Sequence, residues 1–84
     1  MKTMLTDDEA RANIAANVAR LLADRNWSQT ELARRAMESH ANINRVLHAR
    51  QLPGSGILAR IAEAFDVSTD RLLSAPPIAS AKSA

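Results

Sequence analysis

Apolar residues along this chain recur at helical spacing in short stretches, four of them entered through a serine or threonine. Ile14, Val18, Leu21 and Leu22 form the first stripe, extended by Ala10. Thr6-x-x-Glu9 ahead of it has the spacing of a capping box, and Asp7 and Asp8 suit the positive end of a helix dipole. Arg25-Asn26 suits the other end, where cations and left-handed residues are tolerated. Ser28-x-x-Glu31 repeats the box, with Trp27 and Leu32 placed as a hydrophobic staple. This second helix is expected over about 29–36, burying Leu32, Ala33 and Ala36, and the small Ala33 lets a crossing helix approach closely.

Ser39 caps a third helix running to about His48. Pro53, Gly54 and Gly56 then mark a loop. A fourth helix is expected over about 56–65, with Leu58, Ile61, Ala62 and Phe65 inward. Ser68 caps a short fifth, with Val67 stapled to Leu72. No strand pattern and no internal repeat is present. The expected fold is all-α, five short helices over 6–73. Residues 1–5 read as a flexible arm and 74–84 as a flexible tail or linker.

The third helix has two different sides. Ile43, Val46 and Leu47 lie at i, i+3 and i+4 and share one face. At about 100° per residue, His40, Ala41, Asn44, Arg45 and His48 fall opposite, within an arc of roughly 140°. That side holds hydrogen-bonding groups on short or medium side chains and one full charge, which suits the edges of bases.

Composition narrows the setting. The chain has 84 residues, enough for one small core, and Trp27 and Phe65 are its only aromatics, so that core is aliphatic. There is no cysteine, which excludes disulfides and thiolate metal sites and fits a reducing cytoplasm. Lys2 is followed by no apolar run, and no stretch is long and apolar enough to span a membrane, so neither a secretory signal nor membrane association is expected. Net charge is +2, but residues 34–60 carry +4 while the segments on either side carry −1 each. Positive charge concentrated around the third helix points to a polyanionic partner.

At these residues the chain resembles the lambda-repressor-like helix-turn-helix family, also called Cro/cI or XRE-type. The resemblance covers roughly residues 10–73. It rests on Ser28-Gln29, Glu31-Leu32-Ala33, Ser39, Ile43, Val46, Arg50, Pro53, the run 61–68 and Asp70-x-Leu72-Leu73, in order and at family spacing. It implies a five-helix DNA-binding domain whose third helix, about 39–48, enters the major groove of duplex DNA. It further implies a dimer on a palindromic operator, acting as a transcriptional repressor. Two positions depart from the family pattern. Met37 stands where glycine is common in the turn, and Glu38 stands where an apolar residue is usual. The expectation is that Met37 fills the apolar slot and Glu38 faces solvent, paired with Arg34 or Arg35.

The resemblance assigns base reading to His40, Ala41, Asn44 and Arg45. Arginine can grip the two major-groove acceptors of guanine, asparagine matches the adenine edge, and alanine can touch a thymine methyl. It assigns phosphate positioning to Gln29, Ser39 and Asn42, and Arg50 in the following loop is a backbone clamp by its place and charge. Ser39 is also a plain cap, and the two roles are compatible. His48 reaches at most a phosphate. Arg34 and Arg35 are expected to be solvated or salt-bridged.

Enzymatic chemistry is excluded on inventory, and no metal or cofactor is expected. His40 and His48 lie about 12 Å apart along a helix, too far to share an ion. Serine, histidine and aspartate stand in no triad arrangement, and Gly54-Ser55-Gly56 lacks the spacing and lysine of a phosphate-binding loop. Partners are therefore duplex DNA and a second copy of the chain. The dimer surface falls on the fourth and fifth helices with Leu72, Leu73 and Ile78, unless those leucines complete the monomer core. Alternatives of the same fold stay open: an antitoxin bound to its toxin, a restriction-modification controller, an adaptor binding protein, or the N-terminal piece of a longer repressor answering to a protein antagonist.

Overall fold

A computed structural model of the chain describes residues 5–76. Five helices follow one another: α1 Asp7–Arg25, α2 Gln29–Ala36, α3 His40–Leu47, α4 Ser55–Phe65 and α5 Thr69–Leu73. No strand occurs among the described residues. Residues 1–4 of the expected arm, and 77–84 of the expected tail with Ile78, lie outside the described residues.

Four helices start at the expected hydroxyls. Thr6, Ser28, Ser39 and Ser68 are extended, and each side-chain oxygen accepts from the N–H three residues on. Thr6 and Glu9 complete the reciprocal box. The box expected at Ser28 is only half made. The Glu31 carboxylate turns away from the Ser28 N–H because Arg34 and Arg35, one turn further on, offer two cations.

The ends of α1 to α4 share one device. Asn26, Met37, Ala49 and Asp66 all have φ between 53° and 60°, left-handed, and none is glycine. After each, the next N–H reaches back five residues: Trp27 to Leu22, Glu38 to Ala33, Arg50 to Arg45 and Val67 to Ala62, at 2.9–3.1 Å. This is the Schellman turn, which satisfies carbonyls left over at a helix end.

α1 packs against α3 and α5, α2 against α3 and α4, and α4 against α5. Val18, Leu32, Ile43, Ile61, Phe65 and Leu72 are each 0% exposed at the centre. Leu58 is half-buried at the edge of this core. Leu72 therefore belongs to the monomer core and is removed from the dimer surface; the five-residue α5 has no other large apolar residue to bury so deeply. Leu73 stays half-buried at the margin.

Two asparagines hold α5 in place. Asn17, on the buried stripe of α1 and 7% exposed, donates through Nδ2 to the carbonyls of Arg71, Leu72 and Ser74. Asn13, one turn earlier, donates to the Leu73 carbonyl at 2.9 Å. A helix this short cannot satisfy its own carbonyls, so α1 supplies the donors. Arg25 does the same for α4, donating to the Phe65 carbonyl at 2.7 Å.

Candidate nucleic-acid interface

α3 turns the expected sides inward and outward. Ile43 is 0% exposed and Val46 4%, while His40, Ala41, Asn44 and Arg45 are all exposed. The apolar contacts of Ile43 and Val46 fix the roll of the helix, so the opposite side chains point to solvent. His48 is also exposed, but its Nδ1–H donates to the Asn44 carbonyl at 2.9 Å. That bond ties the ring to its own helix end.

Gln29 is the first residue of α2 and is exposed beside free N–H groups of the helix start. Ser39 caps α3, accepting from the Asn42 N–H at 3.1 Å, which leaves its hydroxyl proton free to donate. Arg50 is exposed just beyond α3. Asn42 is half-buried, and both ends of its amide are engaged: Nδ2 donates to Glu38 and Oδ1 accepts from Arg45, each at 2.9 Å.

Pairing sorts the arginines of the basic segment. Arg34 and Arg35 both bind Glu31, and Arg35 also lies over the Trp27 ring at 4.3 Å. Their guanidinium groups hold the Glu31 carboxyl below the usual carboxylate range, Arg34 contributing most. Arg60 binds Glu38. Arg45 and Arg50 meet no carboxylate among the described residues. These are the two cations assigned to DNA from the sequence.

The turn between α2 and α3 differs from expectation. Met37 is 83% exposed and does not fill the apolar slot, whereas the Glu38 side chain is 7% exposed and points inward. The backbone decides this. A left-handed residue at position 37 projects its side chain outward, and the bond from Glu38 N–H to the Ala33 carbonyl folds residue 38 back onto the helix. Glu38 pairs not with Arg34 or Arg35 but with Arg60 of α4, whose Nε donates at 2.6 Å. Asn42 and then Arg60 hold the Glu38 carboxyl below its ordinary value, against the opposing effect of burial. Residues 38 and 60 are 22 apart, and no local pattern signals their pairing. The Glu38–Asn42 and Asn42–Arg45 spacings of four and three are helical-neighbour spacings that could have been read.

Comparison with known proteins agrees with this geometry. The helix-turn-helix family profile matches residues 18–72. A crystal structure of a hypothetical transcription factor, NHTF, from Neisseria superposes with a TM-score of 0.76 at 27% identity, covering 90% of this chain and 88% of that one. No curated protein matches the sequence. A match over most of the chain, on the helices that carry the exposed polar face of α3, decides the matter: the chain belongs to the helix-turn-helix family, of XRE type, and is a DNA-binding transcriptional regulator, not an enzyme.

Proposed function

We propose that the protein is a repressor that binds a palindromic operator as a homodimer, with α3 in the major groove. The observation that carries this reading is the outward face of α3, where Arg45 stands exposed and meets no carboxylate among the described residues. His40, Ala41, Asn44 and Arg45 read bases, and Gln29, Ser39, Asn42 and Arg50 set the backbone register. An exposed guanidinium beside small and neutral polar groups fits a guanine edge. A single α3 reaches only a few base pairs, so two copies on half-sites about 34 Å apart supply the specificity. The dimer surface we assign to the outer faces of α4 and α5, with Leu73.

Selection of bound sites from random duplexes tests the reading at once for affinity, sequence and two-fold symmetry. Arg45→Ala should cost about 1–3 kcal/mol on the selected site and relax preference at one base position. Gln29→Ala should weaken all sequences alike, and Arg50→Ala should also lower the salt slope by about one. Unchanged base preference in Arg45→Ala removes the assigned reading face. Selected sites without two-fold symmetry remove the dimer.

A further inference from the structure

We propose that Glu38 and Arg60, neither of them on the DNA-reading face, are specificity-positioning residues that set the aim of Arg45 before DNA arrives. The proposal rests on the reading above, in which Arg45 contacts a base.

Four side chains form one continuous hydrogen-bonded line from α4 to the reading face. Arg60 donates to Oε2 of Glu38 through both Nε and Nη2. Oε1 of the same carboxylate accepts from Nδ2 of Asn42, and Oδ1 of Asn42 accepts from Nη1 of Arg45, both at 2.9 Å. The direction of the line is forced. A carboxylate can only accept and a guanidinium can only donate, so the amide between them has one workable orientation. Reversing Asn42 would set its NH2 against Arg45 and its oxygen against Glu38.

The anchor is firm where it needs to be. The Glu38 side chain is 7% exposed and is held by a fork from a different helix. The far end is loose by comparison, because Arg45 is exposed and meets no carboxylate among the described residues. Among the described residues its one side-chain hydrogen bond is to Asn42. An arginine free in solvent loses rotamer freedom when it docks on a base, and one already held has less to lose. Arg60 also cancels the charge of Glu38, which otherwise adds a negative charge at the foot of the DNA-reading helix. The ion pair therefore lets a carboxylate serve as the fixed point of the line without repelling DNA.

The test selects duplex sites with the wild type, Arg45→Ala, Glu38→Ala, Arg60→Met and the double variant Glu38→Ala with Arg45→Ala. Circular dichroism confirms that each is folded. Affinities are then measured on the selected site and on each of its single-base variants. Removing the order of one long side chain predicts a loss of roughly two- to twelve-fold. Glu38→Ala and Arg60→Met should each show that loss of preference at the position that Arg45→Ala relaxes, with other positions unchanged. In the double variant Glu38→Ala should add nothing, since the residue it aims is gone. A relaxed Arg45→Ala beside wild-type preference in Glu38→Ala and Arg60→Met overturns this proposal alone. So does a loss spread evenly over all positions, the mark of a purely structural role. Wild-type preference in Arg45→Ala overturns the base-reading assignment, and this proposal with it. If Glu38→Ala does not fold, Arg60→Met decides, since its site is partly exposed and methionine keeps the aliphatic stem.

Discussion

The ends of α1 and α2 are built on the same backbone and filled with opposite chemistry. Each closes with a left-handed residue, Asn26 or Met37, and each then returns an N–H to the carbonyl five residues back, both at 2.9 Å. At α1 the side chains suit those positions. Asparagine tolerates the left-handed region, and Trp27, the inward residue, stacks on Phe65 with ring centroids 5.3 Å apart. The end of α4 is similar, with Asp66 left-handed and Val67 half-buried. At α2 both positions run against preference: a methionine in the left-handed region and a carboxylate turned inward. At the ends of α1, α2 and α4 the residue after the left-handed position turns inward whatever its polarity, whereas at the end of α3 Arg50 stays exposed. The exceptional end is the one that leads into the DNA-reading helix, and there the inward residue is a hydrogen-bonding fixed point in place of an apolar plug.

The largest effect is expected from emptying the conventional turn. Trp27→Ala removes the ring stacked on Phe65 and the surface over which Arg25 and Arg35 lie. Core aromatic truncations cost about 3–5 kcal/mol, and a half-buried ring falls near the lower end, about 3 kcal/mol. Urea unfolding at neutral pH measures it. A loss below about 1 kcal/mol would mean that the inward position at α1 contributes little, and the contrast with α2 would lose its reference.

The left-handed residues give the next test. Met37→Gly should stabilise the protein by about 1 kcal/mol, the relief of a left-handed non-glycine residue less the added entropy of the unfolded chain. Asn26→Gly should change stability far less, because asparagine already tolerates that conformation. Equal effects at the two positions, read as unfolding midpoints, would show that Met37 carries no particular strain. Since Met37 is 83% exposed, loss of its side chain removes little packing that could mask the gain.

These two ends also mark how far the sequence could be read. Caps at Thr6, Ser28, Ser39 and Ser68 and the stripe Ile14–Val18–Leu21 are local signals, and the helices they predict are the helices observed. The outward face of α3 follows from periodicity alone, because a helix with Ile43 and Val46 inward must show Asn44 and Arg45. Polarity alone puts Met37 inward and Glu38 outward, and the left-handed turn at Met37 reverses both. Glu38–Arg60 and the bonds from Asn17 to α5 join residues 22 and 54–57 apart, so nothing in a local window contains them. Asn17 did leave a trace: it lies on the apolar stripe between Ile14 and Leu21, and a polar residue there calls for a buried partner.

The smallest effect is the most specific to the α2 end. Glu38 has its carboxyl held below the ordinary value, first by the hydrogen bond from Asn42 and then by Arg60. A carboxyl depressed in the folded state stabilises that state wherever it is ionised in both forms. Its contribution is complete above the unfolded value of about 4.3, and is lost as pH falls from there through the lowered folded value. Glu38→Gln has no such titration. The stability gap between wild type and Glu38→Gln should therefore be constant near neutrality and close progressively in acid, in urea midpoints taken from about pH 7 to pH 3. Glu31, also depressed through Arg34 and Arg35, is common to both proteins and cancels in the difference. The deficit of Trp27→Ala has no titrating side chain of its own and should stay flat across the same range, which separates a charged turn from an apolar one. A gap that holds its size down to pH 3 would mean that Asn42 and Arg60 do not favour the ionised carboxyl in solution. The fixed point from which Arg45 is aimed would then be absent.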